Sequence, residues 1–366
     1  MQVLMISKAC LVGTYQRKLE EIAAFDDVTL TVVTPPSWRD ERGELKLERA
    51  HLRGYTLAVE PIALNGRFHT HFYPRLSRHF KRLRPDVVHI DEEPYNVATL
   101  HALWLARRVG AKALFFTWQN IARRYPPPFR WIERWVLRRA DYGIAGSQGT
   151  AEVWRAKGYT GPLAIIPQFG VDTDFFNPAG ARAPSAPFTV GYAGRLVPEK
   201  GVDLLLEAAA ELPGAWRVEV LGSGPEQARL EALAARLGVA DRVRFTAWMP
   251  SDQMPDFYRR ISALVIPSRT RPNWKEQFGR VIIEAMACGT PVIGADSGAI
   301  PEVIGQAGLV FPEDDRASLR DAIEKLASRP ALWARLSAEG RARVEANFTQ
   351  RRVAAETVRV YREMCR

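Results

Sequence analysis

The stretch from Asn273 to Gly294 reads NWKEQFGRVIIEAMACGTPVIG and carries two carboxylates, Glu276 and Glu284, eight positions apart. Glu276 falls in a polar loop. Glu284 falls inside an apolar run that reads as a buried helix, where an acid is rarely left without a partner. Between them Phe278-Gly279 marks the helix start, expected at about Gly279. The backbone N–H groups of Phe278, Gly279 and Arg280 would point out of that helix N-terminus, which attracts anions, and Gly279 permits close backbone approach. Eight residues of helix span about 12 Å. A nucleotide sugar has groups in the matching order: sugar hydroxyls for Glu276, a diphosphate for the helix start, ribose hydroxyls for Glu284. Taken alone, Glu284 equally fits an acid satisfied by a nearby arginine or a backbone group.

Some eighty residues earlier, GYAGRLVPEKGVDLLLEAA ends a strand at Gly191–Gly194 and begins a helix near Gly201. Gly194, Arg195 and Lys200 therefore sit between a strand's carboxyl end and a helix start. Guanidinium and ammonium groups placed there can both meet the oxygens of a diphosphate. The same two cations also fit an ordinary solvated loop. A glycine-rich GSGPEQ at Gly222–Gln227 does not fit the dinucleotide fingerprint.

The N-terminal half offers fewer such residues. HIDEEPYN puts Asp91, Glu92 and Glu93 at a strand's carboxyl end, where they could bind acceptor hydroxyls or form a solvated loop paired with arginines. FFTWQN puts Gln119 and Asn120 at the end of another strand. Both can hydrogen-bond a hydroxyl, and neither can act as a general base near neutral pH. The six histidines show no ligand spacing; His69 and His71 read as surface residues, and no metal site is expected. Three scattered cysteines, Cys10, Cys288 and Cys365, suit a reducing cytoplasm better than a disulfide framework. Cys288 reads as a small buried hydrophobe.

These residues need elements to hold them. Short β-rich runs alternate with helical patterns along almost the whole chain, the signature of βαβ units and parallel sheets. In the first half VLMIS, VTLTVVT, DVVHI, ALFFT, YGIAG and LAIIP read as strands, with helices around 16–25, 97–109, 128–140 and 149–157. The segment Pro35–Pro61, rich in charge and breakers, reads as an irregular insertion. In the second half FTVGYAG, WRVEVLG, RVRFTAW, ALVIP, PVIGA and GLVF read as strands. The fold class is thus α/β, with residues 1–167 and 188–349 as two Rossmann-like parallel-sheet domains and 168–187 as a proline-containing linker. A last helix over 350–366 is expected to pack back across the domain boundary. Two such sheets facing each other would form a cleft at the carboxyl ends of their strands.

The chain has 366 residues, 47% of them hydrophobic and 25% charged, as in ordinary globular proteins, and lacks an apolar run long enough for a membrane span. The N-terminus MQVLMIS has no basic stretch before its apolar run and reads as a buried strand rather than a leader. The net charge is +10, and the excess sits between Arg67 and Arg139, where 15 Lys/Arg stand against 5 Asp/Glu. A band of that kind implies an anionic partner: acidic lipid, polyanion or phosphorylated substrate. Within it, RRYPPPFRWIERWVLRR mixes cations with Trp131 and Trp135, which suits either a membrane interface or a helix packed on its sheet. No nucleic-acid motif is present.

In chain order, IPQFGVDTDFF, GRLVPEKG, EQFGRVIIEAMACGTPVIG and SGAIPEVI closely resemble the retaining family-4 glycosyltransferases with the GT-B fold. The resemblance is dense over the linker and C-terminal domain and thinner over the N-terminal domain. It implies transfer of a hexosyl group from a UDP- or GDP-sugar to a hydroxyl acceptor. That acceptor would be a saccharide, a lipid-linked saccharide or a small molecule, in bacterial polysaccharide, glycolipid or glycoconjugate biosynthesis. It also implies that Arg195 and Lys200 stabilise the departing diphosphate in place of a metal, that Glu276 touches the transferred sugar, and that Glu284 holds the ribose. Phe278 and Gly279 would supply amides to the phosphate. Gly13 would match an N-domain glycine near the same phosphate, although KACLVGTYQ lacks the usual Gly-Gly. FFTWQN also departs from the family, with Gln119-Asn120 where many members carry His-Asp. No cofactor beyond the donor is implied, and the expected setting is cytoplasmic, with peripheral attachment to the inner membrane face as a variant. Two other classes share some of these features. A nucleotide-sugar 2-epimerase or a phosphorylase would keep the architecture, and a non-enzymatic polyanion binder would explain the charge alone.

Overall fold

The computed structural model describes residues 1–40, 43–179 and 187–366, and its chain divides into two units. One comprises Met1–Gly170 with Gln350–Arg366, the other Val171–Thr349. Residues 180–186 of the expected linker and 41–42 of the expected insertion lie outside the described residues.

The first unit is built on a seven-stranded sheet. Its strands are β1 (Gln2–Ile6), β2 (Thr29–Thr34), β5 (Thr56–Val59), β6 (Val87–Ile90), β7 (Lys112–Thr117), β8 (Tyr142–Ala145) and β9 (Leu163–Ile165), with β3 (Ser37–Asp40) and β4 (Gly43–Lys46) forming a separate hairpin. The sheet order is β5-β2-β1-β6-β7-β8-β9 and every pairing is parallel. Such strands, covered on both faces, read as the continuous apolar runs seen in the sequence. The helices are α1 (Arg17–Ala23), α2 (Leu76–Leu83), α3 (Val97–Val109), α4 (Phe129–Leu137) and α5 (Gln148–Ala156). Side chains of α2 to α5, including Phe80, Leu103, Ile132 and Trp154, share one core with Leu4, Ile90 and Phe115. Leu19 and Ile22 of α1 join a second core with Met5, Leu114 and Phe116.

The insertion over 35–61 is more ordered than its composition suggests. It holds the β3–β4 hairpin and β5, which pairs with β2 at the sheet edge. An edge strand is covered less completely, so TLAV needs no long apolar run and shows little of its nature in the sequence. Helix α2 was likewise hidden in a segment legible only for its charge; it buries Leu76, His79 and Phe80.

The second unit holds a six-stranded parallel sheet of β10 (Phe188–Ala193), β11 (Trp216–Leu221), β12 (Val243–Thr246), β13 (Ala263–Ile266), β14 (Val292–Ala295) and β15 (Leu309–Phe311). The order is β12-β11-β10-β13-β14-β15. Its helices are α6 (Val202–Ala210), α7 (Gln227–Arg236), α8 (Met254–Arg260), α9 (Arg280–Ala287), α10 (Ile300–Ile304), α11 (Arg316–Ser328) and α12 (Pro330–Asn347). Asp315 caps α11 by accepting from Ser318 N at 2.9 Å. The last helix, α13 (Gln350–Cys365), belongs to the first unit, packs on α1, and contributes Val353, Val358 and Tyr361 to its second core.

Each sheet changes direction once. In the first unit β1 stands between β2 and β6; in the second β10 stands between β11 and β13. The loops after the strands at such switch points diverge and leave room for a ligand. Arg195, Lys200 and Glu276 lie on those loops in the second unit, and Asp91, Glu92 and Glu93 follow β6 in the first, whereas Gln119 and Asn120 follow β7.

Candidate active site

In the second unit, β10 runs into the loop carrying Arg195 and Lys200, and its neighbour β13 runs into the loop carrying Glu276. The two loops meet. Lys200 Nζ donates to Glu276 Oε2 at 2.6 Å, and Ser268 Oγ, at the end of β13, donates to the same oxygen at 3.4 Å. The Lys200 ammonium also lies 4.8 Å from the centre of the Trp274 ring. Arg195 is exposed, and its carbonyl accepts from Tyr192 Oη at 2.8 Å, which fixes the backbone while leaving the guanidinium in solvent. The Gly194 N–H donates to Leu221 O, so Gly194 contributes close approach rather than a donor.

Gly279 caps α9 in the left-handed region at φ 75°, which turns the chain out of the Glu276 loop into the helix. Phe278 is buried edge-on against Phe348, with ring centres 5.8 Å apart. Arg280 is the first residue of α9 and Glu284 the fifth. The Glu284 carboxylate accepts from Tyr258 Oη at 2.7 Å and is ion-paired with Arg280, whose Nε lies 2.7 Å from its other oxygen. The reading of Glu284 as an acid satisfied by a nearby arginine therefore holds, with Tyr258 as a second partner. The acid is satisfied within the fold, and it sits on the helix that starts beside Glu276.

Two glycine loops hold this arrangement and were not singled out as doing so by the sequence. Gly298 lies at φ +56°, and a Cβ there would come 2.2 Å from the Glu276 carbonyl, which accepts from Ala299 N. In GSGPEQ, a Cβ on Gly222 would lie 1.8 Å from Gly194 O, and one on Gly224 would lie 2.2 Å from Leu196 O. The motif that failed as a dinucleotide fingerprint is thus a close-packed support for the Arg195 loop. Tyr258, Ser268 and Trp274 also escaped sequence reading. Ser268 could have been found from its place just after a strand, but Tyr258 lies 26 residues from its partner Glu284 with no local signal.

In the first unit a cavity of about 530 Å³ opens at the β1/β6 switch point. Lys8 stands over its aromatic wall, 5.4 Å from the Trp38 ring centre and 4.6 Å from that of Phe68. Asp91, Glu92 and Glu93 line it from the end of β6, with Trp118 and Gln168 beside them. The three acids form neither a solvated loop nor arginine pairs. Asp91 is buried and accepts from Ser7 Oγ at 2.5 Å and Gln168 Nε2 at 2.9 Å; burial raises its carboxyl above the usual range. Glu92 is buried and ion-paired with Lys8, and His71 lies 3.5 Å away. Burial alone would raise the Glu92 carboxyl, but the charges of Lys8 and His71 prevail and hold it at about 2. Glu93 accepts from Thr117 Oγ1 at 2.6 Å and Trp118 N at 2.8 Å, yet burial prevails and raises it to about 7.

His71 is fully buried, against its expected surface position, because its imidazole is held between Phe68 O and Glu92. Gln119 is also buried; its amide donates to Tyr125 Oη at 3.3 Å, and its carbonyl accepts from Lys157 Nζ at 3.0 Å. Asn120 follows it, half-buried. The Gly13 N–H donates to Glu48 Oε2 at 2.6 Å, so an anion sits on this amide, but it is the protein's own carboxylate from the insertion. Cys10 and Cys288 are buried, and burial pushes both thiols up to about 12. Among the described residues no group of His, Cys, Asp and Glu could hold a metal ion, and no helix is long and apolar enough to cross a membrane.

Sheets, switch points and loops of this kind recur in known proteins. Residues 175–343 match the family profile of glycosyl transferases group 1, and residues 17–175 match that of Glycosyltransferase Family 4. The fold is GT-B: the whole chain superposes on sucrose-phosphate synthase from Thermosynechococcus elongatus with TM-score 0.74 at 22% identity, covering 100% of this chain and 99% of the other. An Anabaena protein solved in complex with UDP gives TM-score 0.73 at 18% identity, covering 99% and 100%. The two profiles run from 17 to 343 without a gap, and the chain belongs to the group 1, family 4 glycosyltransferases.

Among curated relatives, it is 36% identical to a D-inositol 3-phosphate glycosyltransferase of Streptomyces bingchenggensis over 64% of this chain and 55% of that protein. It is 34% identical to one of Mycobacteroides abscessus over 68% of this chain and 61% of that protein. The matched region thus spans roughly 55–61% of the length of these relatives.

Proposed function

We propose that the chain transfers a hexosyl group, with retention of configuration and without a metal, from a nucleotide diphosphate sugar to an acceptor hydroxyl. The observation that carries this reading is the contact of Lys200 with Glu276 at 2.6 Å, made by two loops at one switch point within a family-4 glycosyltransferase. With donor bound, Lys200 and Arg195 face the diphosphate and Glu276 accepts from sugar hydroxyls. The amides at the start of α9 take up phosphate oxygens, and Glu284 turns to the ribose. In the reaction, the bond from the anomeric carbon to the diphosphate oxygen breaks and a bond from that carbon to the acceptor oxygen forms on the same face. The acceptor's proton passes to the departing phosphate oxygen. The protein's part is orientation and charge stabilisation of the leaving group.

The acceptor site in this reading is the cavity of the first unit. Its aromatic wall suits a sugar face, and Glu92 and Glu93 suit hydroxyls. Its one lysine is already paired with Glu92, so three carboxylates would oppose a phosphomonoester. A neutral saccharide or polyol, free or lipid-linked, fits this chemistry better than the phosphorylated acceptor named for the curated relatives. Gln119 and Asn120 position groups by hydrogen bonding and take no proton.

The test starts with thermal shift against UDP- and GDP-sugars, since a ligand that binds only the folded state raises its apparent stability. UDP-sugars are the first choice, given the UDP complex of the similar Anabaena fold. Donor hydrolysis and transfer to neutral and phosphorylated acceptors follow. Glu276→Ala and Arg195→Ala should each lower transfer on the order of a hundredfold or more while the fold persists. Full activity in both variants, or conversion of the donor to an epimer with no acceptor present, would sink the proposal.

A further inference from the structure

Helices α2, α3 and α4 lie side by side over one core of the first unit, and their outward residues carry almost one sign of charge. Five exposed Lys/Arg fall in 75–84, two more are Arg107 and Arg108, and four fall in 130–139. The one carboxylate in these three helices and their caps is Glu133, which is buried and paired with Lys157. Among the described residues none of these exposed cations pairs with an acid. On other helices several arginines, such as Arg341, Arg352 and Arg359, have acid partners.

The same face exposes two tryptophans. Trp131 on α4 is 61% exposed and Trp104 on α3 is 44% exposed, the latter with Arg108 over its ring at 4.7 Å. Indole and guanidinium together suit the headgroup level of a bilayer. Next to Arg130 and Arg134 a pocket of about 390 Å³ is lined further by Arg123, Arg124 and the Lys157–Glu133 pair, four arginines against one neutralised pair. It is wide and cationic enough for a phosphate group.

We propose that the α2–α4 face docks the protein on an anionic phospholipid surface, with Trp104 and Trp131 entering the headgroup layer and the Arg123–Arg134 pocket taking a lipid phosphate. Charge explains the partner's sign; the exposed indoles favour a membrane over a nucleic acid or a soluble polyanion. The inference stands apart from the transferase reading, because none of these residues belongs to the loops assigned to donor chemistry.

Co-sedimentation of the full chain with vesicles tests it. Binding is expected to vesicles of phosphatidylcholine mixed with phosphatidylglycerol, to be weak on phosphatidylcholine alone, and to fall with added salt. Arg130→Ala, Arg134→Ala and Arg138→Ala combined should lower partitioning by about a hundredfold, at roughly 1 kcal/mol for each basic residue. Trp131→Ala should lower it several-fold with charge unchanged. These positions are exposed, so circular dichroism should show folded variants. No binding to the anionic vesicles at low salt overturns the proposal. So does binding that all four substitutions leave intact, or tight association with double-stranded DNA and none with vesicles.

Discussion

Glu93 and Glu92 are adjacent in sequence and titrate in opposite directions. The Glu93 carboxyl is raised to about 7, so between its ordinary value and 7 the folded chain holds a proton that the unfolded chain has lost. Its contribution to stability is therefore present at low pH and is lost as pH rises through 7. Glu92, held at about 2, behaves in the reverse sense: its contribution is present above the ordinary carboxylate range and is lost as pH falls towards 2. Burial lowers the imidazoles of His69, His89 and His101, which makes stability rise with pH in both proteins. Melting temperatures from pH 5 to pH 8 should therefore fall more steeply, or rise less, in the unaltered chain than in Glu93→Gln. An unchanged slope in that variant would count against a shifted Glu93. In the second unit, Tyr258→Phe frees one Glu284 oxygen without altering the helix. It should raise the KM for donor by about tenfold if Tyr258 orients Glu284 for the ribose. At this scale the sequence disclosed which residue types could do chemistry at Arg195, Lys200, Glu276 and Glu284, because motif spacing places them. It did not disclose their partners. Tyr258, Glu48 and Lys8 reach their carboxylates or amides across the fold, and no local pattern records a contact of that kind.

At the scale of elements, the loops are set by backbone packing more than by side chains. Gly298 combines a left-handed backbone with a carbonyl 2.2 Å from where its Cβ would lie. Gly298→Ala should cost about 1–3 kcal/mol in stability and displace Glu276. Donor turnover should then fall further than the loss of folded protein explains, which comparison of activity with the folded fraction would reveal. Gly222→Ala, pressing on Gly194 O, should disturb the Arg195 loop in the same manner. The strands of both sheets were legible because buried parallel strands need apolar runs. Strand β5 and the β3–β4 hairpin were not, since edge and surface elements can form from charged and polar residues. Helix α2 was missed for a related reason: its cations drew the reading, while the three residues it buries are few.

At the scale of the whole molecule, helix α13 returns to the unit that the chain began. It buries Val353, Val358, Val360, Tyr361 and Met364, and Tyr361 Oη lies 2.7 Å from His89 Nδ1 inside that unit. Each such side chain is worth about 1.5–3 kcal/mol, so together they rival the roughly 5–15 kcal/mol that holds a typical domain. A chain ended after Thr349 should therefore lose the first unit's cooperative melting transition while retaining that of the second. The second unit is bounded by Val171 and Thr349, which form a parallel bridge with each other, and Val171 N donates to Phe348 O at 2.8 Å. It is, in effect, a guest domain spliced into its host at a single seam. A guest with neighbouring ends can be cut out, or given new ends elsewhere by joining the old ones. Residues 171–349 alone would then offer a test of the proposed nucleotide binding apart from everything the acceptor side contributes.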